Sequence, residues 1–475
     1  PFFRRQKETA MFTLFGDGQS RTCEGLSRRD FLQVGTLSIG GLSLSSLLAA
    51  EAKAAGGFVR DKAVVILNLQ GGPTHIETFD PKMTAPVEYR AMFGEVKTRL
   101  PGVTFGSHLP QLANLADRMA VVRSYRHGIG SHGKAAEHVM AGGNSTGANM
   151  ASLYARIAGV TSPKTGIPNA TVLAPPAAGD QYKKLGAQVG RVTAVGSLPK
   201  AYTPFDPSSG GDIVNNMKLR IPENRLGDRR ALLQRLDSYK REIDHADVLG
   251  GADQFQQQAF DVILGGISSA FDISKEDPRL LERYDTSQFD IPAALYKKKN
   301  KNLLRQSPVA LGKQLLMARR LIEADCRFVT VTNAGWDMHG NAFGVDDGMP
   351  LLGGAVDRAA SAFLEDLEER GLSEKVLFVI TGEFGRTPRI NKKGGRDHWG
   401  NSMSMLIGGG GLKSGVIVGE SDDKGTRPIK RAVRPAHVLH TVYRQLGIDP
   451  GIAHINHAGR PIPILNDGEP INELL

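Results

Sequence analysis

Apolar positions along this chain gather in short unbroken runs, not in strict alternation. Ala63–Leu69, Met119–Arg123, Arg327–Thr332, Lys375–Thr381 and Met403–Ile407 are five such runs. A strand buried on both faces has this pattern. Between them lie helical patterns. Leu311–Ile322 precedes the third run; Leu351–Arg370 precedes the fourth, with Val356, Ala360, Phe363, Leu364 and Leu367 at helical spacing and Gly371 as a stop. Strands that alternate with helices predict an α/β fold: a three-layer sandwich with a mostly parallel central sheet. Residues 222–305 are richer in charge and helix formers, which predicts a helical insertion inside one domain spanning 58–475. Lys297–Lys301 within it reads as a solvated loop.

The first 55 residues have a different pattern. Ser27-Arg28-Arg29-Asp30-Phe31-Leu32 precedes a run of apolar and small residues from Val34 to Ala50, and small residues follow to Ala55. A basic pair, a moderately apolar core and a small-residue exit make an export signal. The twin arginine resembles the signal of the twin-arginine pathway, which exports folded proteins. The expected partner is that export machinery, and the expected location is periplasmic or extracellular. The apolar run is short of the roughly 20 residues a bilayer span needs, so the mature chain is expected to hold no span. Cleavage near Ala52 or Ala54 would remove Cys23 and leave Cys326 alone; Met11 is a possible start.

Polar residues collect where the runs end. The first leads into Gln70-Gly71-Gly72-Pro73-Thr74-His75, with Glu77 and Asp80 behind; the second leads to His127, Ser131 and His132. The third ends in Asn333-Ala334-Gly335-Trp336-Asp337-Met338-His339, and the fourth in Gly382-Glu383-Phe384-Gly385-Arg386. Arg396-Asp397-His398-Trp399 precedes the fifth. Open parallel sheets bind ligands beyond the carboxyl ends of their strands. Carboxylates and imidazoles gathered there suit one divalent ion, Zn, Mg, Mn or Ca.

Composition narrows the field. Hydrophobic residues at 40% and charged residues at 23% are globular values, which exclude disorder and a polytopic membrane protein. Two cysteines exclude a disulfide framework and a thiolate metal site. Lys+Arg outnumber Asp+Glu by 59 to 49, a net charge of +10 that favours anionic partners. There is no nucleic-acid motif, so a nucleic-acid partner is not expected.

Gly71-Gly72-Pro73-Thr74-His75, Gly335-Trp336-Asp337-Met338-His339-Gly340-Asn341, Gly382-Glu383-Phe384-Gly385-Arg386-Thr387-Pro388 and Arg396-Asp397-His398-Trp399 together resemble one bacterial family. It is known as domain of unknown function fifteen-oh-one, and the closing Gly459-Arg460-Pro461-Ile462 and Pro470–Leu474 fit it too. The family is similar in fold to the alkaline phosphatase and sulfatase superfamily, which implies an alkaline-phosphatase-like sandwich. Carried over residue by residue, the resemblance puts Gln70 and Phe384 where that superfamily has an Asp and a His ligand. Thr381-Gly382-Glu383-Phe384 stands for its Thr-Ala-Asp-His. One metal site is therefore degenerate. Asp337, His339 and His398 resemble the ligands of the other, with Asp397 as a further ligand or as a partner orienting His398.

The nucleophile also departs from the superfamily. Counting back from Gly142 reaches His132, with Ser131 beside it. Ser131 is a candidate nucleophile or a helix N-cap; His132 is a candidate ligand or general base, and Glu383 an auxiliary ligand or base. Arg386 and Arg396 are candidate anion binders or loop ties, and His75 a candidate substrate contact. His437 and His440, on a packed helix, and His454 and His457, in a loop, read as structural. The resulting expectation is an exported metal-dependent hydrolase of phosphate or sulfate esters, or of another anionic small molecule or glycan. The alternative is a non-catalytic extracytoplasmic binding protein on the same fold.

Overall fold

A computed structural model describes residues 59–179, 181–182, 186–209, 267–297, 307–340, 343–451, 453–455, 461–465 and 467–475. The export signal, most of the proposed insertion, Lys298–Lys301, Asn341, His457 and the His454 side chain lie outside the described residues.

All five apolar runs are strands of one seven-stranded sheet. In chain order its strands are β1 (Ala63–Gln70), β2 (Ala120–Tyr125), β3 (Ala170–Leu173), β4 (Phe328–Ala334), β5 (Val376–Thr381), β6 (Met403–Gly409) and β7 (Ile417–Val418). Their order across the sheet is β7-β2-β6-β5-β1-β4-β3. Every residue of β1 is buried, because successive side chains point to opposite faces and both faces are covered. Val65, Leu67 and Leu69 enter one apolar cluster with Leu315 and Phe363. Val64 and Ile66 enter the other with Leu153 and Val442.

The first cluster is completed by α3 (Ser307–Glu323) and α4 (Gly354–Glu369); the second by α1 (His132–Ala141), α2 (Met150–Ala158) and α5 (Pro435–Leu446). The fold is thus a three-layer α/β sandwich. The described part of the expected insertion, 267–297, contributes to the first core: Ile267, Phe271, Leu280 and Tyr284 are buried in it, and Tyr284 donates to Asp366 at 3.0 Å. Among the described residues no helix is long and apolar enough to cross a membrane.

The direction of one strand decides where the chemistry goes. β1 runs parallel to β4 and β5, and β7 runs parallel to β2. β6 runs antiparallel to both its neighbours, β2 and β5. A loop that precedes a parallel strand lies at the rim opposite the strand ends. Because β6 is reversed, the loop before it, with Arg396, Asp397 and His398, reaches the rim at which β1, β2, β4 and β5 end. Pairing of Gly385–Arg386 with His398–Trp399 fixes it there.

One buried acid makes a pH signature. Asp357 of α4 accepts from the Gln111 and Leu112 N–H groups at 3.1 and 2.8 Å, satisfying the start of a helix at Pro110–Asn114. Burial pushes its carboxyl up from 3.8 to about 6, against the pull of those N–H groups. Between these values the folded state binds more protons than the unfolded, so stability should fall as pH rises from about 4 to about 6, by on the order of 2 kcal/mol. Asp357→Asn should flatten that part of a urea-midpoint profile. An unchanged slope would assign it to another group.

Candidate metal centre

The loops after β1 and β4 leave the sheet side by side, because the register runs to Gln70 opposite Ala334. Gly71 sits at φ +117°, and a Cβ on it would lie 2.5 Å from the Asp337 nitrogen. Only glycine lets the Trp336–Asp337 backbone pass this close. Gly395 has the same use: a Cβ there would meet the His339 carbonyl carbon at 2.0 Å. These contacts bring Asp337 and His339 against the loop that carries His398.

Four side chains point nitrogens at one oxygen. Asp337 Oδ1 lies 2.9 Å from His339 Nε2, 3.2 Å from His398 Nε2 and 3.3 Å from His132 Nε2, and the Arg386 guanidinium donates to it. The His339 and His398 Nε2 atoms are 2.9 Å apart. Each ring has its other nitrogen occupied by an acceptor. His132 Nδ1 donates to Glu383 Oε1 at 2.7 Å, His339 Nδ1 to Asp397 Oδ1 at 3.1 Å and His398 Nδ1 to the Gly130 carbonyl at 2.8 Å. A neutral ring that donates from Nδ1 carries a lone pair on Nε2. Three lone pairs and a carboxylate therefore face one point, an arrangement that requires protons or a cation between them.

A cation fits the donor set. His132, Asp337 and His398 offer ligand atoms within 4.8 Å of one another. The 3.2 and 3.3 Å separations from Asp337 Oδ1 match the ligand–ligand edge of about 3.3 Å in a tetrahedron with ~2.0 Å bonds. An imidazole whose second nitrogen donates to a carboxylate or carbonyl is the usual support for a metal-bound histidine. In addition, buried Glu383 holds one oxygen on the Gly71 N–H at 2.8 Å, while Oε2 has no partner among the described residues. Without a cation the cluster is held by charge. Burial works against a charged His132, but Asp337 and Glu383 raise it to about 9. Asp337 is held far below the usual carboxylate range; its partial burial is outweighed by His132, His398 and Arg386.

The expected residues are placed as follows. Asp337, His339 and His398 come together, and His132, at the first turn of α1, joins them as a candidate ligand. Asp397 bonds His339; His398, which it was expected to orient, is held instead by Gly130. Ser131 is exposed at the N-cap position, and its side chain makes no cap hydrogen bond. Glu383 supports His132 and Gly71 from beneath. His127, one of the polar residues to which the second run leads, fixes the Glu383 backbone through a 2.7 Å contact to its carbonyl.

Three expected substrate contacts lie inside the protein. Arg386 is 0% exposed, and its donors go to the Gly71, Gly72 and Arg396 carbonyls and to Asp337 and His339. It positions Asp337 and has no donor left for a ligand. Arg396 is paired with buried Glu77 at 2.7 Å and donates to the Pro388 and Arg90 carbonyls. His75 is 1% exposed with Nε2 against the Gly425 carbonyl at 2.8 Å, and burial lowers it to about 4. Gln70 is buried, its amide donating to the Gln188 carbonyl at 3.3 Å. The Phe384 ring packs 4.9 and 4.6 Å from those of His132 and His398. His437 accepts from the Arg434 N–H and His440 meets the Asp467 carbonyl, both away from this cluster.

Comparison with known families now has a site to bear on. A family model described as "Protein of unknown function (DUF1501)" matches residues 61–475, which include every residue of the cluster. The chain belongs to the DUF1501 family. No curated protein matches it. Among solved structures it is similar to the lipoteichoic acid synthase LtaP from Listeria monocytogenes (9% identity, TM-score 0.35, covering 85% of this chain and 78% of that one). It is also similar to the PsFucS1 sulfatase from Pseudoalteromonas sp. (12%, 0.36, 85% and 70%) and to the phosphonate monoester hydrolase of Agrobacterium radiobacter (11%, 0.33, 83% and 75%). At these TM-scores the likeness carries no argument, so the chemistry of this DUF1501 member rests on its own residues.

Proposed function

We propose that this chain is an exported metal-dependent hydrolase of phosphate or sulfate esters, or of another anionic substrate. The observation that carries the reading is the convergence of three Nε2 lone pairs on Asp337, each with its Nδ1–H held by an acceptor. A divalent ion bound there would polarise an ester oxygen and lower the pKa of an attached water. The residues supply the rest. His132, Asp337 and His398 hold the ion, and His339, between Asp337 and Asp397, completes or supports the set. Glu383 fixes the tautomer of His132. Arg386 holds Asp337 in place, and Ser131, exposed one residue before His132, is the candidate nucleophile.

Purified mature protein is expected to hold about one equivalent of Zn, Mn, Mg or Ca by elemental analysis. Chelation should lower its thermal midpoint and cut hydrolysis of aryl phosphate or sulfate esters at least 100-fold, with recovery on adding the ion back. Metal-free protein of unchanged stability in chelator would end the reading. The packing of Phe384 on two of the imidazoles supports a second reading, a binding protein with a relict site. That reading expects bound metal with no turnover on any ester. Export is tested by fractionating cells that express Arg28→Lys, Arg29→Lys protein, which should stay in the cytoplasm.

A further inference from the structure

The His398–Trp399 strand has two faces. Successive side chains point to opposite sides, so while His398 faces the metal cluster, Trp399 turns the other way. There it lines a cavity of about 580 Å³ together with Tyr89, Arg126, Arg389, Asn401 and Arg427. This volume lies within the range of small-ligand sites and suits a di- or trisaccharide. The three arginines are exposed, whereas Trp399 and Tyr89 are half-buried. Among the described residues none of these guanidiniums has a side-chain hydrogen bond or ion pair. Asp422, which feels the charge of Arg427, is itself occupied by the Thr426 N–H at 2.6 Å. Lys424 adds charge above the Tyr89 ring, at 5.0 Å from its centroid.

We propose that this pocket binds an acidic saccharide, with a sugar face on Trp399 and its sulfate or carboxylate groups among Arg126, Arg389 and Arg427. The indole N–H is already donated to the Thr426 carbonyl at 2.8 Å, so the ring presents an apolar face rather than a donor. Guanidinium forks match the oxygens of sulfate and carboxylate. Asn401 offers a donor and an acceptor, the mixture that hydroxyl groups need. The site goes beyond the hydrolase reading and stands whether or not the metal centre turns over an ester.

The protein reports on the pocket through its own fluorescence. It has two tryptophans; Trp336 is 0% exposed, so acrylamide reaches Trp399 alone. A heparin hexasaccharide or a trigalacturonate should protect Trp399 from quenching, and which one binds tighter tells sulfate from carboxylate. Maltohexaose should not protect, and inorganic sulfate should need at least 100-fold higher concentration. The Arg126→Gln, Arg389→Gln, Arg427→Gln variant should bind the preferred oligosaccharide at least 10-fold more weakly, and Asp337→Asn should change binding less than 2-fold. Because these arginines are exposed, the variant is expected to fold; circular dichroism and an unchanged thermal midpoint check it. Equal protection by maltohexaose or by inorganic sulfate would overturn the proposal. So would a short polyphosphate that competes equally while leaving Trp399 open to quencher, or a triple variant with undiminished affinity.

Discussion

Asp337→Asn is expected to abolish stoichiometric metal binding and to lower ester turnover at least ~1,000-fold, while leaving the protein folded. The carboxylate oxygen is the one atom that all three imidazoles and Arg386 share. Removing its charge takes away the anion around which the set is built. The fold should survive because Arg386 keeps its three carbonyl acceptors, on Gly71, Gly72 and Arg396. Glu383→Gln makes the useful contrast. It touches His132 but not the common point, so a smaller loss of metal affinity, about 10–100-fold, is expected. Elemental analysis and titration of the apo-protein with Zn or Mn measure both. If Asp337→Asn keeps full metal occupancy, the ion sits elsewhere and the hydrolase reading goes with it.

The second large effect falls on stability. Arg396→Met should destabilise the protein by about 3–5 kcal/mol, because it leaves Glu77, whose carboxyl burial already pushes up, without its buried cation. Arg396 and Glu77 are 1% and 2% exposed and 2.7 Å apart. In a domain of this length that corresponds to a fall of roughly 5 °C in the thermal midpoint. Glu77→Leu combined with Arg396→Met should recover most of the loss, since an apolar pair no longer carries an unpaired charge. Calorimetry of the two single variants and the double variant reads the coupling. A variant of full stability with a raised KM would instead return Arg396 to the role of substrate contact.

The core of this fold is legible in the sequence because strands buried on both faces leave unbroken apolar runs: Val64, Val65, Ile66 and Leu67 need no partner to be read. The edge strands β3 and β7 escape, one short and the other of two residues, since an edge demands less apolar length. The direction of β6 is also hidden. An apolar run reads the same both ways, so only the reversed pairing with β2 and β5 brings the His398 loop to the right rim. Within the site, the polar clusters at strand ends mark the candidates, His132 among them, and the superfamily resemblance points to His132 a second time. The burial of the two arginines is not marked, although tying loop carbonyls is one of the two roles the sequence leaves open for them. An arginine in a Gly-rich loop looks exposed, and the acid that neutralises Arg396 stands 319 residues earlier.

The reversed strand has a consequence for how the molecule is made. β6 is one of the last strands in the chain, yet it lies in the interior of the sheet, between β5 and β2. A nascent polypeptide that ends before residue 398 has Asp337, His132 and His339 but lacks both the last imidazole and the ribbon that joins the two portions of the sheet. Closing the sheet and bringing His398 to Asp337 therefore both wait on this late part of the chain. An ion held by that set would then report that the sheet has closed.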